Sequence, residues 1–164
     1  MPARARDHVG GDMDEARARA QMQEAEAVIM RGIQQGAAPW VERTVMRFRP
    51  DLKGTARKAG ERGAARVASE LDALFATDVA QQRSTPLEIV RSLRIEATAV
   101  LHDARVEATA RDAFEVRAFP DDVYGIVPRD FGEFGDEELR IALLAWGMAK
   151  ANILRARSRS DKGS

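Results

Sequence analysis

Residues 85–104 read TPLEIVRSLRIEATAVLHDA and carry the clearest fold signal in the chain. Thr85 is a helix-capping residue, Pro86 falls at the first helical position, and Glu88 completes a capping box. The apolar positions that follow have the three- and four-residue spacings of one helical face; they are Leu87, Val90, Leu93, Ala97, Val100, Leu101 and Ala104. This stretch therefore predicts a helix that packs one face into a core.

Upstream of this stretch, local signals predict two more helices. Asp12 and Glu15 have the spacing of a capping box, and Gly36 suits the left-handed residue that ends a helix. Pro39 fits the first turn of a second, short helix, which Pro50 closes. We therefore expect one helix from Asp12 to about residue 35 and another from Pro39 to about residue 48.

The segment from Asp51 to about Thr77 predicts a helix with a face of small residues. Gly54, Gly60 and Gly63 each cost about 1 kcal/mol relative to alanine in a helix interior. This helix is therefore expected to depend on a partner surface or to break near Gly60. The same small side chains would let another helix approach closely.

Downstream, a helix is predicted from about Glu107 to Ala118, followed by a proline-bracketed loop at residues 119–128. Asp136 is positioned to cap a last helix. Its stretch at residues 141–149 is apolar on nearly every side, which predicts the central and most buried helix of the fold. Trp146 is expected to be buried in it.

These segments predict an all-α protein, a bundle of five to six helices with a compact C-terminal core and a looser N-terminal helix. Residues 1–11 are expected to form a disordered tail and residues 12–155 a single helical domain. Within that domain, residues 84–155 are expected to be the compact core and residues 12–80 a helical arm. Residues 156–164 are expected to form a basic disordered tail.

Composition narrows the class of protein. The chain has 164 residues and no cysteine, which excludes disulfides and thiolate metal sites. Its N-terminus lacks the apolar stretch of a signal peptide. Its longest apolar run, residues 141–149, is shorter than the ~20 residues of a membrane helix. A cytoplasmic location is therefore expected.

The net charge is zero, but the charges are segregated. Residues 42–66 hold eight basic and three acidic side chains, and residues 112–138 hold nine acidic and two basic ones. Like charges four residues apart destabilise a helix, so the repulsion among the basic side chains of residues 42–66 is expected to be compensated. A partner or phosphate would do so, as would internal pairing; a merely solvated face is the alternative. The candidate binding residues on this basic face are Lys53, Arg57, Lys58, Arg62 and Arg66.

A second candidate surface is the proline-bracketed loop, in which Asp121, Asp122 and Tyr124 are expected to contact a partner. Core packing is the competing role for its aromatic ring. Only His8 and His102 offer imidazole ligands, and neither belongs to a metal-binding pattern. No catalytic residue, metal or cofactor is predicted, because no nucleophile elbow, phosphate loop or dinucleotide motif occurs.

Residues 112–151 resemble part of a known group of proteins. The resemblance lies in Phe119-Pro120-Asp121-Asp122, Tyr124-Gly125, Pro128, Ala145-Trp146-Gly147 and Ala149-Lys150-Ala151. In these positions the chain looks like the C-terminal part of a family of small uncharacterised helical proteins of actinobacteria. The resemblance covers about a quarter of the chain. It implies helical architecture and a bacterial source, and it supplies no catalytic residue.

The sequence favours a non-enzymatic interaction protein, an adaptor or regulator that binds an unknown protein partner through the basic face and the aromatic loop. The alternative is a nucleic-acid-binding protein that uses the Lys53–Arg66 helix. The sequence pI of about 6.8 is low for that class. An enzyme of unknown class is the further alternative. Oligomeric state is left open.

Overall fold

The computed structural model describes the backbone of residues 2–107 and 124–163, and the side chains of residues 13–107 and 124–161. No β-strand occurs in these ranges, so the predicted all-α class is confirmed. Short 3-10 helices span Pro50–Leu52 and Phe131–Phe134. The α-helices are α1 (Pro2–Phe48), α2 (Lys53–Ala76), α3 (Pro86–Arg91), α4 (Arg94–Asp103) and α5 (Glu137–Gly163).

Helix α1 is one continuous helix where two were predicted. It runs through Asp12, which was expected to start the first helix, and through Gly36 and Pro39, which were expected to separate the two. A side chain at Gly36 would come within 2.9 Å of the Phe134 Cβ, so this glycine serves close packing rather than helix termination. Tertiary packing therefore overrides the predicted stop at Gly36 and the predicted start at Pro39, since the apolar stripe of α1 continues past both.

Helix α1 is also the helix against which α2, α4 and α5 pack. The prediction of a looser N-terminal helix is therefore wrong, because a long stripe of α1 is buried in the common core. The buried apolar residues of this stripe are Ala18, Met22, Ala25, Ile29, Ile33, Ala37, Trp40, Val41 and Val45. Their three- and four-residue spacing keeps one side of the helix in contact with its neighbours.

The predicted helix that begins at Thr85 is present but interrupted. The Thr85 hydroxyl accepts a hydrogen bond from the Glu88 backbone N–H at 3.2 Å, as the capping box predicts. At Ser92 the chain turns, and the Arg66 guanidinium donates to the Ser92 carbonyl at 2.9 Å. With α3 and α4 taken as one interrupted helix, the described residues form four helices, not five to six. The predicted helix at residues 107–118 lies outside the described residues, apart from its first residue.

Helix α5 begins as predicted, with the Asp136 carboxylate accepting from the Glu138 backbone N–H at 2.9 Å. Trp146 is buried, as predicted. The expectation that α5 is the central helix, buried on nearly every side, is wrong because its opposite face is exposed. The buried face consists of Leu139, Ala142, Trp146, Ala149, Ile153 and Ala156.

The small-residue face of α2 is used for close helix approach. Helix α2 does not break at Gly60, since it is continuous from Lys53 to Ala76. A Cβ at Gly60 would lie 2.6 Å from the Ala38 carbonyl oxygen of α1. A Cβ at Gly63 would lie 3.2 Å from the Leu93 side chain. Glycine thus allows backbones and side chains of neighbouring elements to reach α2.

A charged cluster ties the C-terminal helix to two other parts of the chain. The Arg157 guanidinium donates to Glu15 on α1 and to both carboxylate oxygens of Asp78, at 2.7 and 2.9 Å. Asp78 lies just after α2 and also accepts from the Ala80 backbone N–H at 3.1 Å. The Arg157 hydrogen bond, with help from Ala80, lowers the pKa of Asp78 from 3.8 to about 2.

This cluster predicts an acid-dependent contribution to stability. Because the folded-state pKa of Asp78 is depressed, its stabilisation is fully present above pH 3.8 and is lost as the pH falls through about 2. Asp78→Asn should therefore lower the melting temperature at neutral pH. The difference from the wild type should shrink as the pH is lowered towards 2.

Thermal unfolding followed by circular dichroism over this pH range would measure the effect. Asp72→Asn is the matched control, because Asp72 is exposed on α2 and forms no ion pair within the described residues. If the Asp78 variant and the wild type differed by the same amount at all pH values, the carboxylate would not be the titrating group.

Candidate protein-interaction surface

The exposed side of α5 carries a row of large apolar side chains. Ile141, Leu144 and Met148 are 59%, 62% and 68% exposed. Single exposed apolar residues are ordinary on protein surfaces, but these three follow one another at spacings of three and four residues. They therefore form one continuous apolar strip along α5.

A groove of about 660 Å³ runs beside this strip, between α1 and α5. Among the described residues, its polar lining consists of Gln21, Glu24, Glu138 and Asn152. Its apolar lining consists of Ala25, Val28, Ile141, Ala142, Ala145 and Met148. We call the strip and the groove together the α5 surface. The groove exists because several of its lining side chains are small alanines. Ile141 and Met148 belong to both the strip and the groove.

Sequence reasoning missed the α5 surface because it interpreted residues 141–149 as a helix buried all round. The sequence does contain a signal that distinguishes a buried face of α5 from an exposed one. Leu139, Trp146 and Ile153 share one face of the helix at seven-residue spacing, and Ile141, Leu144 and Met148 share another. Only one of these two faces packs into the core, and the other is left at the surface.

The basic face predicted on α2 is only partly available. Lys53, Lys58 and Arg62 are exposed. Arg57 is exposed too and lies 3.6 Å from the Glu61 carboxylate of the next turn. Such exposed pairs contribute little to stability. These four side chains therefore keep cationic groups in solvent along α2.

Arg66, the fifth residue of the predicted face, is held within the protein. Its guanidinium makes two hydrogen bonds to the Glu96 carboxylate, at 2.7 and 2.9 Å, and lies 3.2 Å from Glu70. The Glu96 hydrogen bond is the largest cause of the raised pKa of Arg66. Part of the compensation that the sequence required thus comes from α4 and from α2 itself.

The predicted partner loop is described only at Tyr124 and beyond, since Asp121 and Asp122 lie outside the described residues. Tyr124 is buried. Its hydroxyl donates to the Val106 carbonyl at 2.8 Å, and its ring packs edge-on against Phe48 at 6.0 Å between centroids. The structure gives this aromatic ring a packing role in the core.

The described residues offer no arrangement for metal binding. No group of three or more His, Cys, Asp or Glu side chains within them could hold a metal ion. His102 is exposed at the end of α4, and the side chain of His8 lies outside the described residues.

None of the helices in the described part of the chain is long and apolar enough to span a bilayer.

No protein-family model, no curated protein and no solved structure matches this chain. The resemblance of residues 112–151 to a family of helical actinobacterial proteins therefore stays a prediction. Of its motifs, residues 145–151 lie on α5, with Trp146 and Ala149 facing the core. Residues 119–122 lie outside the described residues.

Proposed function

We propose that this protein is a non-enzymatic interaction protein, an adaptor or regulator, that binds another protein through the α5 surface. The observation that carries the proposal is the exposed row of Ile141, Leu144 and Met148. Burying apolar surface contributes roughly 25 cal/mol per Å². A partner that covers this row therefore forms a complex of lower free energy, because apolar surface that is exposed in the isolated chain becomes buried.

The composition of the groove favours binding over catalysis. Its four polar side chains, Gln21, Glu24, Glu138 and Asn152, form no hydrogen-bonded acid–base pair within the described residues. A catalytic site needs a nucleophile or a base held by a second group. The groove instead combines apolar walls with a few polar groups, which is the pattern of a protein-docking site.

Nucleic-acid binding through α2 is the alternative, and Arg66 counts against it because Glu96 already occupies its guanidinium. This alternative predicts binding to a DNA duplex with an affinity that falls steeply as salt is raised. The test variant is Lys58→Gln with Arg62→Gln, since both side chains are exposed. We expect weak or no duplex binding at physiological salt, and tight binding lost in this variant would favour the alternative.

The proposed function predicts selective cross-linking from the α5 surface. A photoreactive phenylalanine analogue in place of Leu144 should give protein adducts in an extract of the native host. Adding Met148→Glu to the same chain should abolish them, because a charge would then have to be buried in the interface. Excess unlabelled wild type should compete for the adducts, and nuclease treatment should leave them unchanged.

The control is the same analogue at Ile95, a 53% exposed apolar residue on α4. It matches Leu144 in exposure and side-chain size but lies outside the α5 surface. Equal adducts from positions 95 and 144, or adducts that survive Met148→Glu, would contradict the proposed function. Denaturing gels and mass spectrometry identify the adducts.

A further inference from the structure

We propose that the protein that covers the α5 surface is a second copy of this chain, with its own α5 packed antiparallel on the first. This inference rests on the proposed function, because it names the occupant of the same surface. It is carried by the order of apolar and charged residues along α5, which is complementary to itself when reversed.

The exposed face of α5 follows the spacing of a two-helix seam. Its residues recur at alternating intervals of four and three, and all six have exposed side chains: Glu137, Ile141, Leu144, Met148, Ala151 and Arg155. This alternation is the pattern by which one helix packs lengthwise on another. The seam spans about 27 Å, at 1.5 Å per residue.

When this row is set antiparallel to a second copy of itself, apolar residues meet at the centre and opposite charges meet at the two ends. With the twofold axis at the level of residue 146, Leu144 faces Met148 of the second copy. Ile141 then faces Ala151, and Glu137 faces Arg155. Every apolar position thus meets an apolar position, and each end joins an acidic to a basic side chain. A symmetric dimer requires such a self-complementary patch.

The charges at the two ends select the antiparallel orientation. Arg155 forms no ion pair within the described residues. In the same part of the chain, the Glu137 carboxylate pairs with Arg140 of its own helix alone, in an exposed contact. A parallel dimer would set Glu137 against Glu137 and Arg155 against Arg155, and like charges across an interface are unfavourable.

The centre of the seam also has room for a second helix. Gly147 is exposed, and a Cβ there would meet no atom of the described residues within 4 Å. The groove of about 660 Å³ lies alongside, lined by Ala142 and Ala145. Large side chains of the second copy at the level of Leu144 and Met148 can therefore enter the groove while the two helices stay close.

Analytical ultracentrifugation of the full chain tests self-association. The wild type should sediment increasingly as a dimer as the loading concentration is raised to about 100 μM. Leu144→Glu or Met148→Glu should raise the dimer Kd by about tenfold or more, whereas Ile95→Glu, the matched exposed position on α4, should leave it unchanged. Circular dichroism checks that each variant keeps its helix content. A monomeric wild type, or a dimer insensitive to both α5 changes, would overturn the inference.

Single cysteines test the orientation, because the chain has none of its own. Ile141→Cys and Ala151→Cys should be joined by a short bismaleimide only when the two variants are mixed. Either variant alone places its thiols about 15 Å apart along the seam in the antiparallel dimer. Cross-linking of each variant with itself would indicate a parallel dimer and contradict the proposed register.

The outcomes separate this inference from the proposed function. A monomeric wild type whose position 144 still cross-links to a different protein in the extract refutes the second copy and leaves the interaction function standing. A monomer that also gives no adduct refutes both. A dimer whose mixed cysteine variants cross-link supports the second copy as the occupant of the α5 surface, and an adduct between position 144 and a different protein is then needed to support the adaptor role.

Discussion

Replacing Trp146 with alanine is expected to lower the free energy of unfolding by about 3–5 kcal/mol, the usual cost of truncating a large core side chain. Trp146 is only 3% exposed and shares its face of α5 with Ala149 and Ile153, which are also buried. Its ring lies 6.1 Å from that of Phe75 on α2, and the Lys150 ammonium lies 5.4 Å from its centre. The truncation therefore leaves a cavity where α5 meets α2.

Urea denaturation followed by circular dichroism would measure this loss. Met148→Ala is the matched control, because Met148 is in the same helix and 68% exposed. Its effect on the free energy of unfolding should stay within about 0.5 kcal/mol at concentrations where the chain is monomeric. A loss below about 1 kcal/mol for Trp146→Ala would mean that the indole does not support the core.

The second large effect concerns Gly60, where the usual benefit of alanine in a helix should be reversed. A Cβ at this position would lie 2.6 Å from the Ala38 carbonyl oxygen and 3.1 Å from its Cα, so the backbones of α1 and α2 would have to move apart. Overpacking of this kind typically costs 1–3 kcal/mol, and we expect Gly60→Ala to destabilise by about that amount.

Gly54→Ala is the control in the same helix. A Cβ at Gly54 would meet nothing within 4 Å in the described part of the chain, so the higher helix propensity of alanine should stabilise the fold by up to about 1 kcal/mol. The two substitutions are chemically identical, and chemical denaturation should give them opposite signs. Stabilisation by both would show that α1 and α2 are not in close contact at Gly60.

The exposed α5 row and the close α1–α2 contact have different consequences for function. The packing at Gly60 and at Trp146 joins α1, α2 and α5 in one scaffold. The row of Ile141, Leu144 and Met148 is displayed on that scaffold and adds nothing to the core. Substitutions in the row should therefore change association with little effect on folding, which is what makes the interaction experiments interpretable.

Several elements were predictable because their signals are local. The Thr85 and Asp136 caps each act on a backbone N–H two or three residues away, so the residue type and its spacing are sufficient. Burial of Trp146 follows from the apolar neighbours on its own helical face. The small-residue face of α2 indicated close approach, although not that α1 would be the helix to approach it.

Other features depend on residues far apart in the chain, and the sequence alone predicted them wrongly or not at all. Gly36 was predicted to end one helix and Pro39 to begin the next, but α1 continues through both because its apolar stripe packs on other helices. Arg66 was predicted to belong to the free basic face, but the structure places its guanidinium within hydrogen-bonding distance of Glu96, thirty residues later in the chain.

Sequence by itself thus determined the helical class, the starts of the helices at Thr85 and Asp136, and the burial of Trp146. Only the tertiary structure decided that α1 is central and that Ile141, Leu144 and Met148 face solvent. The physical reason is that helix periodicity specifies which residues share a face. Which of two apolar faces enters the core depends on the helices that pack there, and those contacts join residues distant in the chain.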